Sequence, residues 1–523
     1  MKSIGLRQVA ATRVFLVGLC LLMVPASRGT LSPRRGGTLR VELHAQTVSL
    51  DPREWGTGMT ASATNEKLAA LVFDRLVALD NYGRFQPQLA TEWSHDAAFK
   101  RWQFTLRSSV KFSDGTALSA ADVVAALQPL LPNGQQIAGS GNSVVIQSAV
   151  AVPYLLEELA SGRFLVYRVQ SDSTLMGTGP FFVAEANVDA HKPPVSVSGA
   201  IAPSHLRFRA NEEAWSGRPF LDGIDVTLGV PPLRQLFDLQ LGRADLVELS
   251  PDLVRRAMQE NLRVWSSVPV TLYGLRFDDA QPAAADAKLR EAVALSLDRQ
   301  TMANVLLQKQ AEPAAALLPQ WLSGYAFLFT MEKDIEPAKE IRAALPALPA
   351  HAAAGKEPLR LRVDASGDLA KLLGERVAVN ARQAAIPLQV VNRAALRGSS
   401  SATATSTDAA PGLHLFAWHY SSLSSRVELE SFVSTLNLGE TSGSAVSSTD
   451  PEQLYAREKK LLEERRVLPL VVLPEYVGLG PKVRDWMPAQ WGEWHLADVW
   501  LDVPEPSAEQ RGNSNATSPG AKP

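Results

Sequence analysis

Alternating hydrophobic and polar positions predict short β-strands in the first half of the chain. Leu39, Val41 and Leu43 alternate with polar residues, and the same alternation recurs between 102 and 112. Successive side chains of a strand point to opposite faces of a sheet, so each apolar set would cover one buried face. The pattern predicts further short strands at 181–184, 205–209, 224–228, 358–363, 388–391 and 468–473.

Between these strands, apolar residues recur at the three-to-four-residue spacing of amphipathic helices. Ser119 and Asp122 form a capping box at the start of one helix, a structural feature to which we attach no chemistry. Strands and helices therefore alternate along the chain, which predicts a mixed α/β fold. The predicted helices lie at 62–78, 233–241, 287–297, 369–384 and 451–466.

The first 26 residues have the pattern of a secretory signal peptide. Lys2, Arg7 and Arg13 precede an apolar run of 11 residues, 14–24, and Ala26 offers a cleavage site. The run is too short to span a membrane, which takes roughly 20 residues. Cys20, the one cysteine of the chain, raises the alternative of lipidation, but Leu19 before it departs from the usual small residue. The pattern favours a soluble exported protein.

Composition limits the partners and the covalent chemistry of the mature chain. The chain of 523 residues has a net charge of −2, and loss of the signal peptide would make it more acidic. Mild acidity gives no reason to expect nucleic acid or an anionic membrane as partner. Cleavage after Ala26 would also leave no cysteine, and hence no disulfide. The Pro/Ser/Asn-rich segment 504–523 is predicted to be a disordered tail.

Several segments in a fixed order resemble the family 5 extracellular solute-binding proteins. They are Val72–Asp80, Trp102–Arg107, Gly177-Thr-Gly-Pro-Phe181, Asn211–Asp222 and Leu289–Arg299. The resemblance extends from Gly36 to about Val503. It implies a receptor that passes dipeptides, oligopeptides, nickel complexes or small sugars to an ABC importer, by capturing a ligand between two closing lobes.

The resemblance also implies the fold and its divisions. The expected fold is α/β, two-lobed and periplasmic-binding-protein-like (type II), with an extra subdomain inserted in the first lobe. Lobe I would take 27–270, with the insert at about 55–175, and lobe II would take 271–466. The chain would return to lobe I at 467–503. Crossovers between the lobes are expected near 267–273 and 467–474.

The segment Leu415–Ser422 carries most of the expected ligand site. In the family, a Gly-Trp pair ends a strand here, and an aspartate that follows pairs with the ligand's α-amino group in peptide binders. Trp418 matches the tryptophan, Ala417 replaces the glycine, and Ser421 stands where the aspartate is expected. A buried ammonium needs a carboxylate partner, so Ser421 argues against ordinary binding of free N-termini. His419 offers instead a hydrogen-bonding or metal-ligating imidazole, and Tyr420 an aromatic face.

Other candidate ligand-binding residues are chosen by their position. His44 and Met59 flank the end of the first strand, a favoured place for a binding group, although His44 could equally be a solvent-exposed strand end. Thr178 and Gly179 would let backbone N–H groups approach a ligand, but a tight structural turn is the favoured alternative. Tyr273, at the expected crossover, could stack on a ligand or pack the hinge.

The leading hypothesis is therefore a monomeric periplasmic receptor of an ABC permease in the inner membrane, which binds a small peptide or peptide-sized polar ligand. The alternatives are a metal-chelate or oligosaccharide receptor, or a degenerate family member that acts as a sensor or partner protein. The sequence has no Gly-x-Ser-x-Gly elbow and no histidine pair at metal-binding spacing. We therefore expect no enzymatic activity, no cofactor and no structural metal.

Overall fold

The computed structural model describes residues 32–55, 63–80, 82–132, 134–171, 174–187, 205–279, 281–331, 333–346, 348, 359–365, 367–392, 412–438 and 450–502. The expected signal peptide, Met59 and the expected tail at 504–523 lie outside these residues. Backbone contacts separate Met1–Arg34 from Arg35–Pro523, and every element named below belongs to the second of these two units.

The strands and helices alternate along the chain, as their hydrophobic periodicity predicts. The strands are β1 (Thr38–Glu42), β2 (Val77–Leu79), β3 (Phe85–Pro87), β4 (Ala90–His95), β5 (Arg101–Leu106), β6 (Gln135–Ser140), β7 (Ser143–Ser148), β8 (Arg168–Val169), β9 (Leu175–Met176), β10 (Phe181–Asn187), β11 (His205–Ala210), β12 (Gly223–Thr227), β13 (Leu246–Leu249), β14 (Arg263–Phe277), β15 (Glu312–Pro313), β16 (Leu359–Val363), β17 (Leu388–Asn392), β18 (Leu413–His419), β19 (Val467–Leu479), β20 (Val483–Arg484) and β21 (Trp500–Leu501). The α-helices are α1 (Ala63–Ala69), α2 (Ala120–Leu127), α3 (Leu155–Leu159), α4 (Pro232–Gln240), α5 (Pro251–Gln259), α6 (Pro282–Ala285), α7 (Ala287–Ser296), α8 (Arg299–Thr301), α9 (Gln320–Ser323), α10 (Ile335–Ala344), α11 (Asp368–Gln383), α12 (Ser425–Thr435) and α13 (Pro451–Glu463).

One large mixed sheet joins two lobes. Its strands follow the order β10-β11-β12-β1-β13-β19-β14-β18-β16-β17, and β15 pairs with β19 outside this path. The long strands β14 and β19 pair with each other for most of their length. The 476–479 end of β19 pairs with β13, whereas the 271–277 end of β14 pairs with β18. These two strands are therefore the crossovers between the lobes, and the two-lobe α/β fold is confirmed.

Two prolines face each other where the crossover strands change partners. Pro269 of β14 lies opposite Pro474 of β19, and the register shifts on both sides of Pro269. Proline has no backbone N–H, so this pair can exchange no ladder hydrogen bond. Side chains bind the neighbouring backbone instead: Trp321 Nε1 donates to the Pro269 carbonyl, and the Glu475 N–H donates to Ser267 Oγ. The limits of the lobes drawn from the sequence remain a prediction.

The segment inserted in the first lobe has a sheet and a core of its own. Strands β4, β5, β7 and β6 form a four-stranded antiparallel sheet. Trp102, Phe104 and Leu106 of β5 are buried in its core, as their alternation predicts. The capping box predicted at Ser119 and Asp122 is confirmed at the start of α2.

The helix predicted at 62–78 is wrong in length, because α1 ends at Ala69. Tertiary hydrogen bonds compete for the backbone that follows it. The N–H of Phe181 donates to the Leu71 carbonyl, and the N–H of Gly179 donates to the Val72 carbonyl. Residues 71–73 are buried and form a junction with the strand that opens at Phe181. Apolar spacing alone does not reveal that competition.

Candidate ligand-binding cavity

A cavity lies where the first lobe, its inserted subdomain and the second lobe meet. Helix α1, whose Leu68 and Ala69 pack in one hydrophobic core with β1 and β12, lines it from the first lobe together with the 491–493 loop. The end of α3 and the chain after it line it from the insert, and the end of β18 lines it from the second lobe. Because both lobes supply its walls, their relative motion would open or enclose it. The lining residues are Glu66, Lys67, Ala70, Arg75, Leu79, Glu157, Ala160, Ser161, Gly162, Leu165, His419, Tyr420, Ser421, Leu423, Trp491, Gly492 and Glu493.

Both cations that line the cavity are paired with carboxylates of the protein. Lys67 Nζ lies 2.5 Å from Glu475 Oε2 and 5.3 Å from the centroid of the Trp494 ring. Arg75 forms an ion pair with Glu493 and also donates to the Ala160 carbonyl at 2.8 Å. The nearby Arg75 guanidinium lowers the pKa of Glu493 despite its burial. The basic residues of the wall are thus neutralised by the chain itself.

Two carboxylates on the wall have no such cation. Within the described residues, no hydrogen bond or ion pair reaches the Glu66 carboxylate, and Glu157 Oε2 is buried without a hydrogen-bond partner. Desolvation, followed by the nearby Glu428 carboxylate, raises the pKa of Glu66 to about 7. Glu66 Oε2 lies against Gly162, where an added Cβ would come within 2.8 Å of it. The carboxylate therefore extends from α1 to the inserted subdomain.

The end of β18 forms the second-lobe wall, where His419, Tyr420 and Ser421, three of the residues predicted to bind ligand, line the cavity. Burial lowers the pKa of His419 to about 4, so its imidazole is neutral near pH 7. Its Nδ1 is buried without a hydrogen-bond partner in the described part of the chain and lies 3.9 Å from Glu475 Oε1. The Tyr420 hydroxyl donates to the Leu317 carbonyl, which fixes the ring.

Behind this wall, Glu428 of α12 holds the loop that follows β18. Its Oε1 accepts the backbone N–H groups of Ser421 and Ser422, at 2.8 and 2.6 Å. Its Oε2 accepts Trp418 Nε1 at 2.9 Å. Burial raises the pKa of Glu428 to about 7, and these three hydrogen bonds oppose the shift. A carboxylate thus lies close to Ser421 after all, but its acceptor positions are used by the protein.

Trp418, predicted to bind ligand, lies in the second-lobe core and is not among the lining residues. Its ring stacks on Phe432 with 4.0 Å between centroids and 21° between planes. Tyr273 is also packed in that lobe, and burial raises its pKa to about 12. Both residues thus pack within the second lobe, in separate cores, and neither lines the cavity.

The other predicted residues also lie away from the lining. His44 is exposed, and its backbone N–H donates to Glu248 Oε2 at 2.7 Å. Thr178 is fully buried and donates its hydroxyl to Asp74 Oδ2 at 2.7 Å. At Gly179 an added Cβ would come within 2.7 Å of the Val72 carbonyl. The glycine is needed for close backbone packing, in line with the structural alternative weighed for this turn.

A buried ion pair connects the inserted subdomain to the second lobe beside the cavity. Arg426, in the first turn of α12, lies 2.9 Å from Glu158 Oε1 of α3 and 2.7 Å from Glu430 Oε2 of its own helix. Its guanidinium also lies over the Tyr154 ring, 3.2 Å from the centroid. Glu157, the neighbour of Glu158 in α3, lines the cavity.

Sequence reasoning missed Glu66, Glu157 and Glu428, which fall outside every segment that matched the family pattern around Trp418. The one available signal is a charged pair, Glu66-Lys67, inside an otherwise buried helix. That signal does not reveal which partner each charge meets, because the partners lie in distant segments.

In the described part of the chain, no three His, Cys, Asp or Glu side chains are grouped as a metal ion would require. The helices described there also include none with both the length and the apolar character needed to cross a bilayer.

The sequence and the fold both resemble known proteins. The family model "Bacterial extracellular solute-binding proteins, family 5 Middle" matches residues 84–424. The nickel-binding periplasmic protein of Escherichia coli (strain K12) is 23% identical over 352 residues, 60% of this chain and 64% of the relative. The peptide transport periplasmic protein SapA of Salmonella typhimurium is 24% identical over 321 residues, 53% of this chain and 55% of the relative. The chain thus spans less than two thirds of the length of these relatives.

A solved structure shares the architecture at low sequence identity. The periplasmic binding protein DppA of Helicobacter pylori, in complex with the peptide STSA, superposes with a TM-score of 0.70 at 15% identity. The superposition covers 90% of this chain and 99% of that protein. At this identity the likeness establishes the fold alone.

Proposed function

Because this chain belongs to the family 5 bacterial extracellular solute-binding proteins, we propose that it is the periplasmic receptor of an ABC importer and captures a small peptide or a peptide-sized polar ligand. The observation that carries the proposal is the cavity that both lobes line. A ligand enclosed there contacts both lobes only when they are closed, so binding favours the closed state. In this proposal the permease recognises the closed receptor.

The charged and polar side chains of the cavity wall support a polar ligand. Carboxylates, paired cations, a neutral imidazole and two serines line the cavity. Among the predicted residues, His419, Tyr420 and Ser421 contact the ligand in this proposal, and Trp418 holds them in place.

The relatives support this ligand class. One is named for nickel and one for peptide transport, and the superposed protein holds a peptide. For this chain, a peptide-sized organic ligand is the better candidate than a bare metal ion, because the described residues provide no three-ligand cluster. A metal chelate and an oligosaccharide are the alternative ligands, and a binding experiment distinguishes them from a peptide.

Other parts of the proposal follow from the family. Its members are solute-binding proteins, and we propose that this chain likewise binds its ligand without converting it. The relatives are periplasmic by name, so residues 1–26 would act as the export signal. The receptor would work as a monomer with an inner-membrane permease.

The test is a thermal-shift screen of the mature protein against peptides, N-acetylated peptides, oligosaccharides and metal–histidine complexes. A ligand present at 100 times its Kd stabilises the fold by about 2.7 kcal/mol, which gives a measurable increase in Tm. An increase with one ligand class supports the receptor and identifies that class. No increase with any class would contradict the receptor function and favour a sensor or partner protein.

A further inference from the structure

The charges of the cavity wall do not cancel within the described chain. Lys67 and Arg75 are neutralised by Glu475 and Glu493. Among the described residues, no cation forms an ion pair with Glu66 or Glu157, although Lys67 and Arg75 act on Glu66 at longer range. Both side chains are only partly exposed, so leaving them without a contacting cation is costly, and a cationic group of a ligand would remove part of that cost.

The two carboxylates also come from separate elements. Glu66 belongs to α1 of the first lobe, and Glu157 belongs to α3 of the inserted subdomain. Glu66 Oε2 lies against Gly162, which brings it to the same side of the cavity as the insert. One positively charged group of a ligand could therefore meet both parts of the first lobe.

The second lobe, by contrast, has no carboxylate free for this purpose at the end of β18. The oxygens of Glu428 accept the N–H groups of Trp418, Ser421 and Ser422. The nearby His419 imidazole is neutral near pH 7 and carries no negative charge. A ligand cation would have to be compensated on the first-lobe wall.

We propose that the ligand carries a positively charged nitrogen and that Glu66, assisted by Glu157, is the group that binds it. The inference rests on the proposed receptor function and adds the charge of the ligand and the residue that selects it. The contact is on the first lobe, away from the strand end where the resemblance places an aspartate. The raised pKa of Glu66 is consistent with a carboxylate that lacks its cation in the unliganded protein.

The experiment is native mass spectrometry and calorimetry of the full mature protein with four probes. The probes are a degenerate pool of free tripeptides, the same pool N-acetylated, spermidine, and neutral malto-oligosaccharides. The variant Glu66→Gln keeps the shape of the side chain and removes its charge. Glu340→Gln, on the exposed face of α10, is the matched control.

The inference predicts that the protein binds free tripeptides or spermidine and neither of the other two probes. Glu66→Gln should weaken this binding roughly 30-fold or more, because it removes one partner of a charge pair that is shielded from water. Glu340→Gln should leave the binding unchanged. Equal binding of free and acetylated peptides, or binding of malto-oligosaccharides alone, would overturn the inference but leave the receptor function standing. Loss of folding in Glu66→Gln would show as a lowered Tm, and Glu157→Gln then provides the second charge-removing variant. Binding of none of the four probes by the wild-type protein would overturn the inference together with the proposed peptide ligand.

Discussion

The Arg426 guanidinium lies 2.9 Å from the Glu158 carboxylate, although the two residues are 268 positions apart. Arg426 is 2% exposed and Glu158 14% exposed, so water screens the pair only weakly. The pair joins the second-lobe helix α12 to helix α3 of the inserted subdomain. It therefore stabilises the arrangement of the lobes in this structure without a ligand.

Glu158→Gln is expected to shift the unliganded protein towards an open state. Removing one partner of a partly buried ion pair should cost about 1–3 kcal/mol of closed-state stability. Fluorescence energy transfer between dyes on the two lobes would measure the change, and stopped-flow would show faster ligand release. Glu430→Gln is the control, because Glu430 pairs with Arg426 inside the same helix. An equal effect of both variants would contradict a role for the cross-lobe pair.

Ligand affinity should depend on pH through Glu66. The carboxylate has a pKa of about 7, and it must lose its proton to bind a cation. Affinity for a cationic probe should therefore fall below pH 7, by up to about tenfold per pH unit. Glu428, Glu493, Lys67 and Arg75 act on Glu66 by their charges and will broaden the transition.

Calorimetry at pH 5.5, 6.5 and 7.5 measures this dependence. Binding near pH 7 should also release protons, which buffers of different ionisation enthalpy reveal. In Glu66→Gln, both the pH dependence and the proton release should be reduced. A profile unchanged by Glu66→Gln would show that another group controls it.

A methyl group at position 162 should displace the Glu66 carboxylate without changing its charge. The new Cβ would meet Glu66 Oε2 at 2.8 Å, so the flexible side chain must move. Gly162→Ala is therefore expected to weaken the binding of a cationic probe several-fold, with little loss of stability. The shorter side chain of Glu66→Asp should tolerate the methyl group, so Gly162→Ala should have less effect in that background than in the wild-type protein. Additive effects would show that Gly162 does not act through Glu66.

Trp418→Phe should lower stability more than ligand affinity. The substitution removes the indole N–H that donates to Glu428 and leaves that buried acceptor unpaired. The loss is about 1–3 kcal/mol for a buried acceptor. Chemical denaturation measures the stability, and calorimetry at a temperature where the variant is folded measures the affinity. A large loss of affinity with normal stability would indicate that Trp418 contacts the ligand directly.

The folded protein should be more stable at pH 5.5 than at pH 7.5. Glu42, Glu66, Glu428 and Glu458 have pKa values raised to about 7, mainly by burial. An unfolded glutamate titrates near about 4.3, so between these values the folded state binds the extra protons. This contribution is fully present at low pH and is lost as the pH rises through 7. His419 acts in the opposite direction, because its pKa is lowered to about 4 and the folded state therefore binds fewer protons there than the unfolded state. It is a single group, whereas four glutamates act the other way.

Melting curves across this pH range measure whether stability falls as the pH rises. The variant Glu458→Gln tests whether the buried glutamates cause that fall. Glu458 Oε1 accepts the N–H groups of Leu317 and Leu318, and a glutamine oxygen can accept both. The variant should reduce the difference in Tm between the two pH values. A Tm that increases from pH 5.5 to 7.5 in the wild-type protein would contradict the prediction.

Much of the fold follows from local pattern. The alternation around Trp102, Phe104 and Leu106 and the Ser119 capping box each require only neighbouring residues, and both predictions were confirmed. The end of α1 was not predictable in this way, because Gly179 and Phe181 compete for its backbone from more than 100 positions away.

Only part of the cavity lining falls in a linear motif, and its role in binding stays a prediction. His419, Tyr420 and Ser421 follow a recognisable strand end and line the cavity. Glu66 lies against Gly162, and its pKa is raised first by desolvation and then by the charge of Glu428. Both partners reach it only through the tertiary fold, so no window of sequence around Glu66 indicates a buried, unpaired carboxylate.

The facing prolines in the crossover strands affect which properties of this protein a single substitution can change. Since Pro269 and Pro474 share no ladder hydrogen bond, rotation at that point breaks none between them. The work of separating the lobes is then done against side chains, namely Arg426 with Glu158 and the groups that hold the ligand. Single substitutions at those side chains can change how long a ligand stays bound while the shared sheet, and with it the fold, is preserved.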